Sequence, residues 1–135
     1  MEKILVTGAG GFIGSQLVDE LLKRKYKVRA FLKYSSTSDR GWLRDNKNKN
    51  LEIIHGDISD YDSVEEAFKN INVVYNLAAL ISVPYSFKNP SSFIQTNVNG
   101  LINILRAYKQ NKKTIKKIIQ ISSSEVYGNT INSKI

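Results

Sequence analysis

The sequence predicts an α/β fold, a doubly wound parallel sheet of five strands in the order 3-2-1-4-5. Three observations carry that expectation. Short apolar runs alternate with segments of helical periodicity along the 135 residues. The first run, Lys3–Thr7, is nearly all apolar, as a strand covered on both faces must be. A glycine-rich turn stands between that run and the first helical pattern.

The elements follow in order. After the first strand, a helix over residues 12–25 presents Ile13, Leu17, Leu21 and Gly14, Val18, Leu22 as its buried stripe. The second strand is Lys27–Lys33, and a polar loop over 34–50 leads to the third strand at 51–55. Asp60 caps a short helix that runs to about residue 69, with Glu65 and Glu66 along it. A fourth strand covers 72–77, and a loop containing Pro84 and Pro90 precedes a long helix at 91–109. There Ile94, Val98, Leu101, Ile102, Leu105 and Tyr108 keep helical spacing. The fifth strand is 117–122, and the chain turns at Tyr127-Gly128. Right-handed crossovers between these parallel strands give the stated order.

Composition bounds the alternatives. Apolar residues make up 41% and charged residues 24%, a balance that supports one domain with a core and excludes a disordered chain. There is no cysteine, so disulfide frameworks and thiolate chemistry are excluded and a reducing compartment fits. The apolar run Ile4-Leu5-Val6 is too short for a signal-peptide core, and no run approaches the ~18 residues of a membrane span. The expectation is a cytoplasmic protein with no membrane partner. A net charge of +8 raises nucleic-acid binding, but the lysines are scattered and no aromatic platform is interleaved with them, so no nucleic-acid partner is expected. The excess charge reads as a mild attraction for anionic substrates. His55 stands alone without metal-ligand partners, and no metal site is expected.

The turn Thr7-Gly8-Ala9-Gly10-Gly11-Phe12-Ile13-Gly14 carries the first chemical signal. The G-x-G-x-x-G spacing fails because Ile13 stands at its third glycine. The spacing that works is Gly8-x-x-Gly11-x-x-Gly14. In dinucleotide-binding folds the first such glycine permits the tight turn, the second lets a diphosphate approach the backbone, and the third lets the helix pack close. The unpaired amides at Phe12 and Ile13, with the positive end of their helix, then face the diphosphate. A Walker loop is excluded, since no Gly-Lys-Ser/Thr follows. The expected fold is therefore a Rossmann domain that binds NAD or NADP. An acidic residue at the end of strand two would bind the ribose 2′-hydroxyl of NAD; Leu32, Lys33 and Tyr34 stand there instead, and the next acid is Asp39. Lys33 suits a 2′-phosphate and favours NADP, with a solvated strand-end lysine as the alternative. Asp57, following strand three at the same sheet edge, suits the adenine amino group or, alternatively, forms a turn.

Together, Gly8-x-x-Gly11-Phe12-Ile13-Gly14, Gly56-Asp57-Ile58, Asn76-Leu77-Ala78-Ala79, Thr96-Asn97-Val98-Asn99-Gly100 and Ser122-Ser123-Ser124-Glu125-Val126-Tyr127-Gly128 resemble the extended short-chain dehydrogenase/reductases over essentially the whole chain. Within them, Leu77-Ala78-Ala79-Leu80-Ile81-Ser82-Val83-Pro84-Tyr85-Ser86 and the loop with Gly41-Trp42-Leu43 resemble nucleotide-sugar 4,6-dehydratases of the legionaminic-acid type, which act on UDP- or GDP-N-acetylglucosamine. The resemblance implies that Ile58, Leu77, Ala78, Ala79 and Asn97 join the glycines at the cofactor, and that Ser82 and Tyr85 meet the sugar nucleotide. It makes Ser123, Ser124 and Glu125 catalytic. Ser123 would hydrogen-bond the C4 oxygen. Glu125, where 4-epimerases carry a small or hydroxyl residue, would remove the C5 proton and help the C6 hydroxyl leave. Ser124 replaces an aspartate of the dTDP-glucose enzymes, which leaves open the group that protonates the departing hydroxyl.

The resemblance also implies a homodimer built on the helix after strand four. The family's tyrosine–lysine pair and its C-terminal sugar-nucleotide domain would lie beyond this chain, which is expected to be an inactive front portion. Tyr127 is not that tyrosine, because Ile131 stands where the lysine would be, and a structural turn is expected of it. Two other parents stay open: a 4-epimerase or related reductase, and a non-catalytic dinucleotide-binding module.

Overall fold

A computed structural model describes residues 2–128; the segment 129–135, with Ile131, lies outside the described residues. The elements are β1 (Lys3–Thr7), α1 (Phe12–Lys23), β2 (Lys27–Lys33), a 3₁₀ turn (Gly41–Leu43), β3 (Leu51–Gly56), α2 (Tyr61–Phe68), β4 (Val73–Asn76), α3 (Val83–Lys88), α4 (Pro90–Phe93), a π-helical segment (Ile94–Asn99), α5 (Gly100–Asn111), β5 (Lys117–Gln120) and a second 3₁₀ turn (Ser124–Tyr127). The strands form one parallel sheet in the order β3-β2-β1-β4-β5, as the alternation of apolar runs predicts.

Side chains alternate across the sheet, and each face has its own core. Ile4, Val6, Val28, Ala30 and Leu32 pack with Val18, Leu21 and Leu22 of α1 on one face. On the other, Leu5, Phe31 and Val74 pack with Val64 and Phe68 of α2 and with Ile104 and Ala107 of α5. β1 is buried on both faces, which is why its sequence shows no polar alternation.

Several boundaries differ from expectation for identifiable reasons. α1 ends at Lys23, two residues early, because Lys25 turns left-handed (φ +65°) and the Tyr26 amide closes the end on the Leu21 carbonyl. Ile13, placed on the buried stripe by its spacing, is exposed because it sits in the first turn, past the end of the sheet. β4 stops at Asn76 because the Leu77 and Ala78 amides turn to the Thr7 hydroxyl. Pro84 and Pro90 fall in the first turns of α3 and α4, where a missing N–H costs nothing, so part of the expected loop is helical. The long helix runs from Pro90 to Asn111 but widens into the π segment, which shifts its phase. Ile94, Val98, Ile102 and Leu105 lie exposed, while Gly100, Asn103, Ile104 and Ala107 face the core. Asp60 caps α2 as expected, accepting from the Ser63 amide at 2.9 Å.

One buried charge ties the β2–β3 edge to α2. Arg29, only 8% exposed, donates Nη1 to the carbonyls of Ala67 and Lys69 at 2.9 Å each, satisfying the C-terminal end of α2. Its Nε and Nη2 grip the two oxygens of Glu52 at 2.8 and 3.2 Å, and Lys3 adds a contact at 2.7 Å. The Arg29 hydrogen bond, followed by that from Lys3 and the two charges, overcomes partial burial and pulls the Glu52 carboxyl down to about 2. Because the folded value lies below the ordinary glutamate value of ~4.3, the contribution is full above that pH and is lost as pH falls toward about 2. Glu52→Gln should therefore lower the urea midpoint at pH 7, and the gap to the parent should close as the pH is lowered through this window. A gap that persists at pH 2 would contradict the ion pair.

Candidate functional site

The C-terminal ends of the five strands form one edge, and the residues singled out in the sequence gather along it. Gly8 takes φ +64°, and a Cβ there would stand 2.9 Å from both the Leu77 carbonyl carbon and the Ala78 nitrogen. The turn after β1 therefore lies directly on the chain leaving β4. A Cβ on Gly14 would come 2.3 Å from the Gly8 carbonyl oxygen, so α1 touches the turn through backbone alone. Gly11 is different. Its φ is an ordinary −77°, and a Cβ would meet only the Gly8 oxygen, at 3.3 Å. It faces open space.

The start of α1 is electrostatically unspent. No side chain caps Gly11, and its first turn holds no acidic residue. The amides of Phe12, Ile13 and Gly14 make no hydrogen bond among the described residues. Three donors and the positive end of a twelve-residue helix thus converge beside the glycine turn. The Phe12 side chain projects outward, 66% exposed, leaving its backbone clear.

Next to this turn lies a cleft of about 150 Å³, lined by Gly8, Lys33, Asp57, Ile58, Ala78 and Ala79 among others. Lys33 and Asp57 face one another across it, Nζ to Oδ2 3.8 Å, although the lysine is 75% exposed. Asp57 Oδ1 accepts from the Ser59 amide at 2.8 Å and hydroxyl at 2.7 Å, so this carboxylate builds a turn as well as lining the cleft. Partial burial opposes its ionisation, but the Ser59 hydrogen bonds and the Lys33 charge outweigh that and hold its pKa below the usual value. Ile58 is pinned from below: Asn103 Nδ2 donates to the Ile58 and Ser59 carbonyls at 3.1 and 3.0 Å.

Asn97, read from sequence as touching the cofactor, spends both polar ends of its carboxamide on Leu80. It accepts from the Leu80 amide and donates to the Leu80 carbonyl, each at 2.9 Å. It acts on the cleft by holding the wall after β4, and the π segment brings it there. Beyond that wall Ser82 precedes α3, and Tyr85 packs its ring against Phe93 at 6.2 Å, its hydroxyl accepting from Asn89 at 3.3 Å. Both are exposed.

Ser123, Ser124 and Glu125 follow β5 on the same edge, with β4 between them and the cleft. Ser123 caps the 3₁₀ turn, its Oγ accepting from the Glu125 amide at 3.2 Å. All three side chains are exposed, and Tyr127 closes the same turn.

Sequence reasoning missed the polar relay beneath this edge. Thr7 Oγ1 donates to Asn76 Oδ1 at 2.5 Å, and Asn76 Nδ2 donates to Gln120 Oε1 at 2.7 Å. The same Thr7 oxygen accepts from the Leu77 and Ala78 amides at 3.2 and 3.1 Å. The signal was present: β1, β4 and β5 each end on a polar residue after an apolar run. His55 Nε2 is buried without a partner, and among the described residues no group of metal-binding side chains assembles.

The family described as GDP-mannose 4,6 dehydratase matches residues 5–135. The chain belongs to the extended short-chain dehydrogenase/reductases. It is 35% identical, over 94% of its length, to a UDP-N-acetyl-alpha-D-glucosaminuronate decarboxylase of Bacillus cytotoxicus, of which it covers 38%. Among solved structures it resembles the UDP-N-acetylglucosamine 4-epimerase of Methanobrevibacter ruminantium, with TM-score 0.84 and 37% identity over 99% of this chain and 42% of that one. It also resembles MoeE5 in complex with UDP-glucose and NAD, with TM-score 0.78 and 31% identity over 98% of this chain and 40% of that one. This extended short-chain dehydrogenase/reductase thus spans about two fifths of the length of the relatives it matches.

The glycines separate by role in a direct test on this dehydrogenase/reductase chain. Gly14→Ala forces a Cβ into the Gly8 carbonyl and should cost roughly 1–3 kcal/mol in chemical denaturation, as overpacking does. Gly11→Ala has only the 3.3 Å contact to relieve and should cost less than about 1 kcal/mol. Equal losses would mean that Gly11 is also a packing residue.

Proposed function

We propose that this chain is the dinucleotide-binding part of a nucleotide-sugar 4,6-dehydratase that uses NAD or NADP. The glycine cradle fits the cofactor's diphosphate: Gly11 leaves open space where a side chain would obstruct, and three unpaired amides border it. The cleft between Lys33, Asp57 and Ala78 suits the adenosine end, with Lys33 the cation that favours NADP and Asp57 Oδ2 the acceptor that suits the adenine amino group. Leu77 and Ala79 flank Ala78 on the wall that follows β4, and Asn97 holds that wall through Leu80.

One observation favours the dehydratase: Glu125 is a carboxylate on the turn directly after β5, at the edge where parallel sheets bind their ligands. When bound, the nicotinamide ring supplies the redox chemistry, accepting hydride from sugar C4 and returning it at C6. The Ser123 hydroxyl donates a hydrogen bond to the C4 oxygen and polarises the ketone formed there. That ketone acidifies the C5 proton, which the Glu125 carboxylate removes. The same proton, passed to the C6 hydroxyl, lets it depart as water and leaves a C5–C6 double bond. With hydride returned at C6 and a proton added at C5, equal to the one the C4 hydroxyl gives up on oxidation, the net change would be the loss of one water. Ser124 stands between these groups and offers a hydroxyl, not an acid, to the departing oxygen. Ser82 and Tyr85, past the cleft wall, are placed to meet the sugar nucleotide.

A cytoplasmic homodimer fits this reading; no helix among the described residues is long and apolar enough to cross a membrane. The exposed stripe Ile94, Val98, Ile102 and Leu105 offers a face for the second copy. The 4-epimerase is the second reading, favoured by the likeness to the Methanobrevibacter enzyme.

The intact protein containing this chain should convert UDP- or GDP-N-acetylglucosamine to a 4-keto-6-deoxy sugar, followed by mass spectrometry. Glu125→Gln should lower kcat by about 10²- to 10⁴-fold, as loss of a general base does, with KM little changed. Clean inversion at C4 without loss of water would establish the epimerase instead.

A further inference from the structure

Lysines that lie scattered along the sequence are gathered by the fold onto one edge. All five strands are parallel, so they all begin at the edge opposite the glycine turn. Three lysine-rich stretches lead into strands there: 23–27 into β2, 47–49 into β3 and 112–117 into β5. Backbone hydrogen bonds run along this edge from strand to strand. The Val28 amide donates to the Asn50 carbonyl at 2.9 Å, the Asn72 amide to the Lys3 carbonyl at 2.9 Å, and the Lys116 amide to the Asn72 carbonyl at 2.8 Å. With strands about 4.8 Å apart, the row from β3 to β5 is roughly 20 Å long.

The charge on this row is uncompensated. Lys25, Lys27, Lys47, Lys49, Lys113 and Lys117 are exposed and form no ion pair among the described residues. Nearby Glu2, Glu20 and Glu66 are already engaged, on Lys116 and Arg24 at 2.8 Å each and on Lys69. The starts of β2 and β3 are neighbours, closer than the Debye length of about 8 Å at physiological salt, so their lysines act on a partner together.

Three features say what the row fits. The carbonyl ends of α1 and α5 point to this edge, so the backbone draws no anion, and the positive charge sits at the tips of long flexible side chains. Arginine, whose fork suits nucleic-acid phosphates and bases, contributes only Arg24 to the three stretches, and Glu20 holds it. Their one aromatic, Tyr26, packs against the α1-side core and offers no face for a base to stack on. What is left is a row of hydrated point charges, which matches a fluid layer of anionic headgroups better than a fixed phosphate.

We propose that this edge docks the protein on an anionic membrane surface through charge alone. The sequence expectation of no membrane partner rests on the lack of a spanning run, which this contact does not require. The glycine turn and its cleft lie at the opposite edge, so the docked protein keeps them open to solution. The inference is independent of the cofactor and of the reaction.

Co-sedimentation of the intact protein tests this, with vesicles of phosphatidylcholine alone and of phosphatidylcholine mixed about 2:1 with phosphatidylglycerol. The protein should bind the mixed vesicles at about 0.1 M salt, leave them at about 0.5 M, and ignore pure phosphatidylcholine at either. The triple variant Lys25→Gln, Lys27→Gln, Lys49→Gln should bind about 100-fold more weakly, near fivefold for each lysine withdrawn from the surface. A charge-matched control is Arg40→Gln, Arg44→Gln, Lys88→Gln. Arg40 and Arg44 stand at the opposite edge, where the Trp42 amide clamps the Gly41–Leu43 turn to the Gly10 carbonyl at 3.1 Å and Arg44 lines a second cleft of about 330 Å³. Lys88 ends α3, beyond the wall after β4. This control should stay within about threefold of the parent. Equal loss in both triple variants, binding to pure phosphatidylcholine, failure to bind the mixed vesicles at low salt, or displacement from them by a duplex oligonucleotide would overturn the assignment. Salt release and lipid dependence are read on the parent protein, so the test stands even if a variant fails to fold.

Discussion

Backbone meets backbone with no side chain between, and the whole ligand-facing edge depends on it. Gly8 lies against the Leu77–Ala78 peptide, Gly14 against the Gly8 carbonyl, and Gly41 against the Gly10 carbonyl. Two distant stretches of chain, the wall after β4 and the loop before β3, thus converge with the start of α1 on one turn of a few residues. A methyl group at any of the three contacts would push one stretch away from the rest. The closeness has a use: it leaves the first amides of α1 bare, uncapped and aimed across a surface with no side chain to shield it. The strain of two left-handed glycines, at φ +64° and +55°, falls on the residues that bear it most cheaply.

The second organising force is the need to satisfy polar groups where strands end. Parallel strands present unpaired amides and carbonyls at the edge where a ligand has to fit. Thr7, Asn76 and Gln120 meet part of that demand with side chains, and in doing so fix the angle at which the post-β4 wall departs. Asn97 extends the same solution outward by gripping both polar atoms of residue 80. At the opposite end of the sheet's α2 face, Arg29 answers the carbonyls of α2 and is itself neutralised by Glu52. These anchors are polar because hydrophobic contact is indifferent to direction, while a hydrogen bond specifies an angle.

How much of this could be read from the sequence differs between scaffold and site. The strands announced themselves through apolar runs, and α2 through its Asp60 cap, because burial and capping act locally. The glycine turn was legible for the same reason: residues six apart on a single chain carry its geometry. The clamp Gly41–Leu43 was not legible as structure, since three residues have no period and the contact that requires Gly41 comes from Gly10. Ile13 misled because periodicity counts turns of helix without knowing where the sheet stops. The π segment was not legible either, because the apolar positions from Ile94 to Leu105 keep helical spacing straight through it.

The sequence by itself determined the class of fold, the strand order and the location of the glycine turn. Each follows from interactions between residues close along the chain or from rules of chirality that apply to any such chain. Tertiary structure alone decided which charges remain available. Lys33 faces Asp57, Asp39 turns inward to Gly41, and Asn97 is consumed by Leu80, while Arg44, on a cleft wall, has no ion-pair partner among the described residues. Whether a polar group is free for a ligand depends on neighbours dozens of residues away, brought near only when the sheet closes.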